Sequence, residues 1–321
     1  MDLAGRTTGV VTTVPSGGGR AIAASAGYVY NSRGLREKLT REDATSWTYG
    51  YNDRSEVTSG VKKLANGNLA AGQQFGYEYD AIGNRISAQS GGDSSGNNLR
   101  TVSYTRNALN QYTAIATPGS FDVLVRSADT VGVTVSGTAA TVTRQGNLHR
   151  ALANVTNTTT GTWSSLSITS PAGTGTPQTG NRWVPKATTA PLYDADGNLT
   201  NDGRWDYVWD GENRLLSMTT LATGLPSGMP RKKLEFAYDW MSRRIAKKVS
   251  NWGGSAWTVA EERRFIYDGW NLVGEFKMVS GTRTLEKTYL WGLDLSGKIQ
   301  GAGGVGGLLA VNTVYPSSSS C

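Results

Sequence analysis

Oxygen-bearing side chains fall on alternate positions in one stretch of this 321-residue chain: Asp194, Asp196, Asn198, Thr200 and Asp202. Carboxylates and amides at loop positions 1, 3, 5 and 9 are what a hard divalent cation takes in an EF-hand-type loop. Calcium is disfavoured by the rest of the loop. Gly197 falls at position 4 rather than 6, and position 12 is Trp205 where a bidentate Glu is needed. A related stretch also lacks the ligands, because Tyr79-Asp80 is followed by Ala81 and Ile82. Asp194, Asp196, Asn198 and Asp202 therefore read better as turn formers than as metal ligands, and no cofactor is expected.

Other reactive patterns fail for similar reasons. Gly301-x-Gly303-x-x-Gly306 spells the dinucleotide fingerprint, but the βαβ unit it requires has no room before Cys321. Ser94 in "GDSSG" matches a nucleophile elbow without the apolar strand that should lead into it. The single histidine, His149, lies far away in sequence, and one His with one Cys cannot make an ordinary zinc site. No catalytic residue is expected. The doublets Lys232-Lys233, Arg243-Arg244, Lys247-Lys248 and Arg263-Arg264 alternate with aromatics, as nucleic-acid grooves do. Glu235, Asp239, Glu261 and Glu262 break that field, so a solvated strand face is the better reading and no nucleic-acid partner is expected. Sequons at Asn154, Asn157 and Asn198 read as incidental.

The elements that carry these residues show a repeat. Aligning on aromatic-x-aromatic-Asp/Asn gives units from Tyr28, Tyr49, Tyr77, Tyr104, Tyr193, Tyr207, Phe236, Phe265 and Tyr289, near twenty residues apart where regular. Alternation puts both rings on one strand face. The Asp or Asn then starts a turn. Where a Gly follows three residues on, it supplies a positive φ. The positions assigned to this structural role are Tyr79, Asp80, Gly83, Tyr193, Asp194, Gly197, Trp209, Asp210, Gly211, Tyr238, Asp239, Tyr267 and Asp268. Abundant Gly (41) with Tyr (14) and Trp (10), against 18% charged residues, favours short strands and turns over helices. A hairpin of this kind cannot bury its aromatic face alone; stacked neighbours can.

"YEYDAIGNRI", "YDADGNL", "YVWDGENRLLSM" and "FAYDWMSRRIAKKV" resemble the YD-repeat, or Rhs, proteins of bacteria, which are similar in architecture to the Tc-toxin C component and the teneurin barrel. "RRFIYDGWNLVGEF" with "YLWGLDLSGKIQGAGGVGGLLAV" resembles the start of the repeat-associated core of that family. The resemblance covers roughly residues 28–112 and 191–311. It implies an all-β antiparallel hairpin array forming part of a spiralling shell, often around a variable C-terminal toxin. The expected partners are neighbouring repeats or a C-terminal effector, and the expected location is secreted or at the bacterial surface. The opening "MDLAGRTTGVV" carries no signal-peptide pattern, and no apolar run approaches a membrane-spanning length. The rest of the core and any toxin domain are missing from this sequence, which reads as a fragment of a longer array.

Between the repeats, residues 113–190 break the period. Val131, Val133 and Val135 alternate with polar residues, and "LHRALANVTNTTTGTWSSLSITS" offers further strands. This part reads as an inserted small β-sandwich, immunoglobulin-like or carbohydrate-associated, between repeat segments 1–112 and 191–321. If Trp163 or Trp183 is exposed, it could contact a glycan; burial in the core is the competing reading. The function expected is structural and non-enzymatic, a wall segment of an Rhs-type shell, with carbohydrate binding through the insert as the alternative.

Overall fold

Every aromatic-x-aromatic run becomes a strand, because alternation gives each ring a common face to share with the next hairpin. In the computed structural model the chain is all β, its sheets antiparallel, with no helix among the described residues, which are 1–16, 19–170, 176–294, 296–298, 301 and 307–314. Two compact units divide it, Met1–Pro191 and Leu192–Cys321.

The first unit begins as a meander of β1 (Gly9–Ser16), β2 (Gly19–Tyr30), β3 (Arg36–Arg41), β4 (Ser46–Tyr51), β5 (Val57–Lys63), β6 (Leu69–Tyr79), β7 (Arg85–Gly91), β8 (Leu99–Arg106) and β9 (Tyr112–Ala116). Seven strands follow: β10 (Ser120–Arg126), β11 (Gly132–Val135), β12 (Thr138–Ala140), β13 (Val142–Gln145), β14 (Leu148–Asn154), β15 (Thr162–Thr169) and β16 (Gln178–Val184). Then β17 (Thr188–Thr189) returns to pair with β9, completing a ten-stranded sheet in the order β1 to β9, then β17.

The intervening strands make two small sheets, β10-β14-β13 and β12-β11-β15-β16. Phe121, Val123, Ala151 and Ala153 of the first share one buried cluster with Val133, Val135 and Val184 of the second. The neck of this segment is closed by Asn157. Its buried side-chain amide donates to the Thr117 and Pro185 carbonyls at 3.1 and 2.8 Å, while Thr117 N–H bonds Ala187 O. An amide held this way is closed to glycosylation in the folded chain.

The small sheets are also tied to the large one. Gln145 accepts from Ala71 N–H and donates to Leu69 O. Asp122, on β10, receives Arg100 of β8 at 2.6 Å and Arg150 of β14 at 2.7 Å. Gly91 (φ +100°) has to be glycine here, since a Cβ would lie 2.4 Å from an Arg100 nitrogen and 2.6 Å from an Asp122 oxygen.

The second unit is one meander: β18 (Leu192–Tyr193), β19 (Leu199–Asn201), β20 (Trp205–Trp209), β21 (Leu215–Thr220), β22 (Lys232–Tyr238), β23 (Arg244–Trp252), β24 (Trp257–Asp268), β25 (Asn271–Val279), β26 (Thr282–Trp291) and β27 (Leu308–Thr313). Neither large sheet closes into a barrel. In such a meander every second turn lies at the same end. The motif turns follow β2, β4, β6 and β8 in one sheet, and β18, β20, β22, β24 and β26 in the other, so each sheet gathers them along one rim. The twenty-residue period is one strand pair.

Candidate functional site

The repeat turns are built alike. In the turn at Asp239, the Ser242 N–H bonds Asp239 O and the Asp239 N–H bonds Arg243 O, which is a type I turn followed by a one-residue bulge. The same pair of bonds recurs at Asn31, Asn52, Asp80, Asp93, Asn107, Asp194 and Asp210. The carboxylate or amide oxygen of the first residue accepts the N–H groups two and four residues on; for Asp194 these are Asp196 at 3.0 Å and Asn198 at 2.8 Å. The fourth residue is left-handed. Gly83 and Gly197 serve as expected, at φ +92° and +87°.

Gly211 does not take that part. It is the second turn residue, and Asn213 (φ +57°) carries the left-handed position, as Ser242 (φ +60°) does in the next unit. Asn adopts this conformation at modest cost, and Ser242 shows that glycine is not obligatory. Tyr267-Asp268 also departs. Asp268 pairs directly with Asn271, so Gly269 and Trp270 alone form a two-residue hairpin.

In six of the nine units the second aromatic has a polar task toward the preceding strand. Tyr51 donates its hydroxyl to Arg36 O, Tyr79 to Val57 O, Tyr238 to Leu215 O and Tyr267 to Arg244 O, at 2.7–3.0 Å. The indole N–H groups of Trp209 and Trp291 do the same to Leu199 O and Leu272 O at 2.8 and 2.6 Å. The acceptor is the first residue of the preceding strand, or for Trp291 the second, so each of these rings is fixed to the strand before it.

Arginines continue the connection forward. Arg33 donates to Asn52 O and Asp53 O, Arg54 to Asp80 O and Ala81 O, Arg214 to Asp239 O, and Arg243 to Gly269 O. Each reaches the next turn on its rim. Arg214 and Arg243 also pair with Asp210 and Asp239 at 2.8 and 2.7 Å, and lie over the rings of Tyr238 and Tyr267.

The electrostatics follow. Burial pushes the Asp80 carboxyl up, but the Asn84 side chain, the N–H groups of Asn84 and Ile82, and Arg106 outweigh it and hold the group at about 2. The Asp210 carboxyl is lowered chiefly by the Arg214 N–H, with the Arg214 guanidinium adding. Asp194 and Asp239 are lowered against burial by Asn198 and Arg243 respectively.

Two of the would-be calcium ligands, Asp194 and Asp202, have their oxygens engaged by donors. Asn198 gives its side-chain amide to Asp194 at 3.1 Å and to Asn213 at 2.8 Å. Asp202 receives the N–H groups of Arg204 and Trp205 and the Tyr207 hydroxyl. Among the described residues no group of three His, Cys, Asp or Glu side chains suits a metal. "GDSSG" forms a turn with the same bonds but at the opposite end of the sheet, between β7 and β8, with Asp93 first, Ser94 second and Gly96 left-handed. Ser94 is exposed, His149 is fully buried opposite Val125, and no hydrogen bond joins them. Of the glycine run, Gly301 lies in a turn, while Gly303 and Gly306 lie outside the described residues.

Several basic-doublet side chains are engaged. Arg263 pairs with Glu261, Glu275 and Glu286, Arg264 with Glu262, and Lys233 and Lys248 both with Glu235. Trp163 and Trp183 sit directly opposite each other on β15 and β16, both half-buried, with the Trp183 ring over Gly161. Alternation turns them away from the cluster that holds Val184. Beside them a groove of about 600 Å³ is lined by Thr134, Ser165, Ser167, Thr179 and Asn181.

No protein-family profile matches the chain, and no curated protein does. Among solved structures, it is similar to a crystal structure of a porin-like protein from Bacteroides uniformis ATCC 8492, at 13% identity and a TM-score of 0.27, covering 79% of this chain and 92% of that one. A likeness at that TM-score carries no argument about this chain.

Proposed function

We propose that this chain is a wall segment of a YD-repeat, Rhs-type shell, structural and non-enzymatic, placed at or outside the bacterial surface. Its partners would be further repeats and the C-terminal effector that the shell encloses. One observation carries the reading. Ring, turn and arginine are bonded from one hairpin to the next along a single rim, as a wall extended by addition of hairpins requires. Electron microscopy with limited proteolysis of the chain within its parent polypeptide tests it. A hollow particle with a protected C-terminal segment is expected; a solid or open particle with that segment freely cleaved overturns the reading.

The outer face of the four-stranded sheet favours a second reading, glycan binding. A cross-strand tryptophan pair beside a groove of hydroxyls and an amide offers both stacking and hydrogen bonds. Glycan-array binding that falls at least ~10-fold in Trp163→Ala supports it. Absence of any array signal removes it.

A further inference from the structure

The first unit holds a cleft apart from the repeat turns and the tryptophan pair, and one irregular strand pairing opens it. Between β5 and β6, Val61 pairs with Gln74 and Lys63 with Leu69, so Lys62 alone faces Ala70, Ala71, Gly72 and Gln73. Extra residues of this kind bend a strand and re-aim its side chains, and they are over-represented next to active sites. Gly72 makes the bend possible: its φ is +79°, and a Cβ there would lie 2.5 Å from the Leu124 side chain. The hairpin of β13 and β14 docks on the bend through the bonds of Gln145 to Leu69 and Ala71.

Between the large sheet and this hairpin a cleft of about 280 Å³ remains, with Leu64, Leu124 and Leu148 as its apolar wall. Some of its polar groups are engaged. Thr45 gives its hydroxyl to one Asp43 oxygen at 2.6 Å, and Arg126 pairs with the other at 3.0 Å. The side chains of Lys62, Gln73 and Asn147 line the same cleft, and among the described residues they make no hydrogen bond or ion pair. Lys62 and Gln73 are half-buried. A half-buried ammonium beside leucines attracts an anion more strongly than one in open water. The cleft also continues. A second groove of about 400 Å³ shares Leu64 and Gln145 with it and adds Asn66 and Asn68.

We propose that this cleft binds the free C-terminus of a peptide ending in an aliphatic residue. The terminal carboxylate meets Lys62, with Arg126 adding to the field, and the last side chain rests against Leu64, Leu124 and Leu148. The preceding main chain runs along the adjoining groove, where side-chain amides supply its hydrogen bonds. Three observations select this ligand. One lysine without a carboxylate partner, in a chain carrying +7, calls for an anionic end, and the carboxylate closest by, Asp43, has both oxygens engaged. Among the described residues neither groove is lined by an aromatic ring on which a sugar would stack. A narrow cleft opening into an amide-bearing groove suits an extended chain with one end held, a recurring mode of peptide capture.

Fluorescence polarisation of the full chain with an N-terminally labelled Gly-Ser-Gly-Val-Leu peptide tests this independently of the wall reading. Saturable binding is expected, weakened at least ~10-fold when the peptide C-terminus is amidated and likewise in Lys62→Gln. Lys63→Gln, which alternation turns to the opposite face, should bind as the native chain does. No saturation at ~1 mM peptide overturns the proposal. Equal binding of the amidated peptide overturns it as well, since the carboxylate would then not be recognised, and so does undiminished binding by a folded Lys62→Gln. Displacement by glucuronate at lower concentration than by unlabelled peptide would assign the cleft to acidic sugars and also overturn it. Should Lys62→Gln lose its β circular dichroism, the comparison of acid and amide on the native chain decides.

Discussion

Tyr238 and Asp239 divide one turn between them: the carboxylate fixes the loop ahead, and the hydroxyl fixes the strand behind. Tyr238→Phe keeps the ring and removes only the 3.0 Å bond to Leu215 O, so a loss of about 0.5–1.5 kcal/mol is expected in urea unfolding. Were Tyr238 simply a packed ring, the substitution would change nothing. The carboxylate's task was legible, because Asp followed by Gly three residues later has a local mechanism, as at Asp80 and Gly83. The hydroxyl's task was not. Its acceptor lies 23 residues earlier on the neighbouring strand, and nothing local marks it. Asn213 and Ser242 were missed for a related reason, since glycine alone was sought at the left-handed position.

At the level of elements, the strands around the rings follow from their alternation, and so does the buried face of Val131, Val133 and Val135. The return of Thr188–Thr189 to β9 does not, because two residues carry no period. Their docking depends on Asn157, whose amide holds both ends of the intervening segment. Asn157→Ala leaves the Thr117 and Pro185 carbonyls without that donor and should cost about 2–3 kcal/mol. The effect should be local. Hydrogen exchange should quicken at the Thr117 and Ala187 amides, while β5 and β6 keep their protection; a uniform acceleration would show that the clasp is not a separate element.

Across the whole chain, the lowered carboxyls set an acid limit. Asp80 and Asp43 lie at about 2, and Asp194, Asp210, Asp239, Glu235 and Glu261 are lowered as well. The cause at Asp43 is first its bond from the Thr45 hydroxyl. A carboxyl whose folded value lies below its unfolded one stabilises the fold above the unfolded value, near 4, and stops doing so as pH falls toward the folded value. Urea midpoints should therefore be flat with respect to these groups from about pH 7 to 5 and fall between about pH 4 and 2. A midpoint unchanged down to pH 2 would mean that the turn carboxylates contribute nothing.

Confinement of the ring and arginine bonds to one rim of each sheet has a mechanical consequence. In a meander, tension applied through the two chain ends loads the outermost strand across its ladder, so strands peel singly instead of sliding together. The turns at the opposite end, several of which share the same backbone bonds, show no arginine bridge from one turn to the next among the described residues. They offer the easier place for a peel to start, and each rim bond then acts as a stop encountered once every two strands. A sheet of this kind would pay out chain under force in steps of one hairpin, roughly twenty residues at a time, with the stops spaced by the sequence repeat itself.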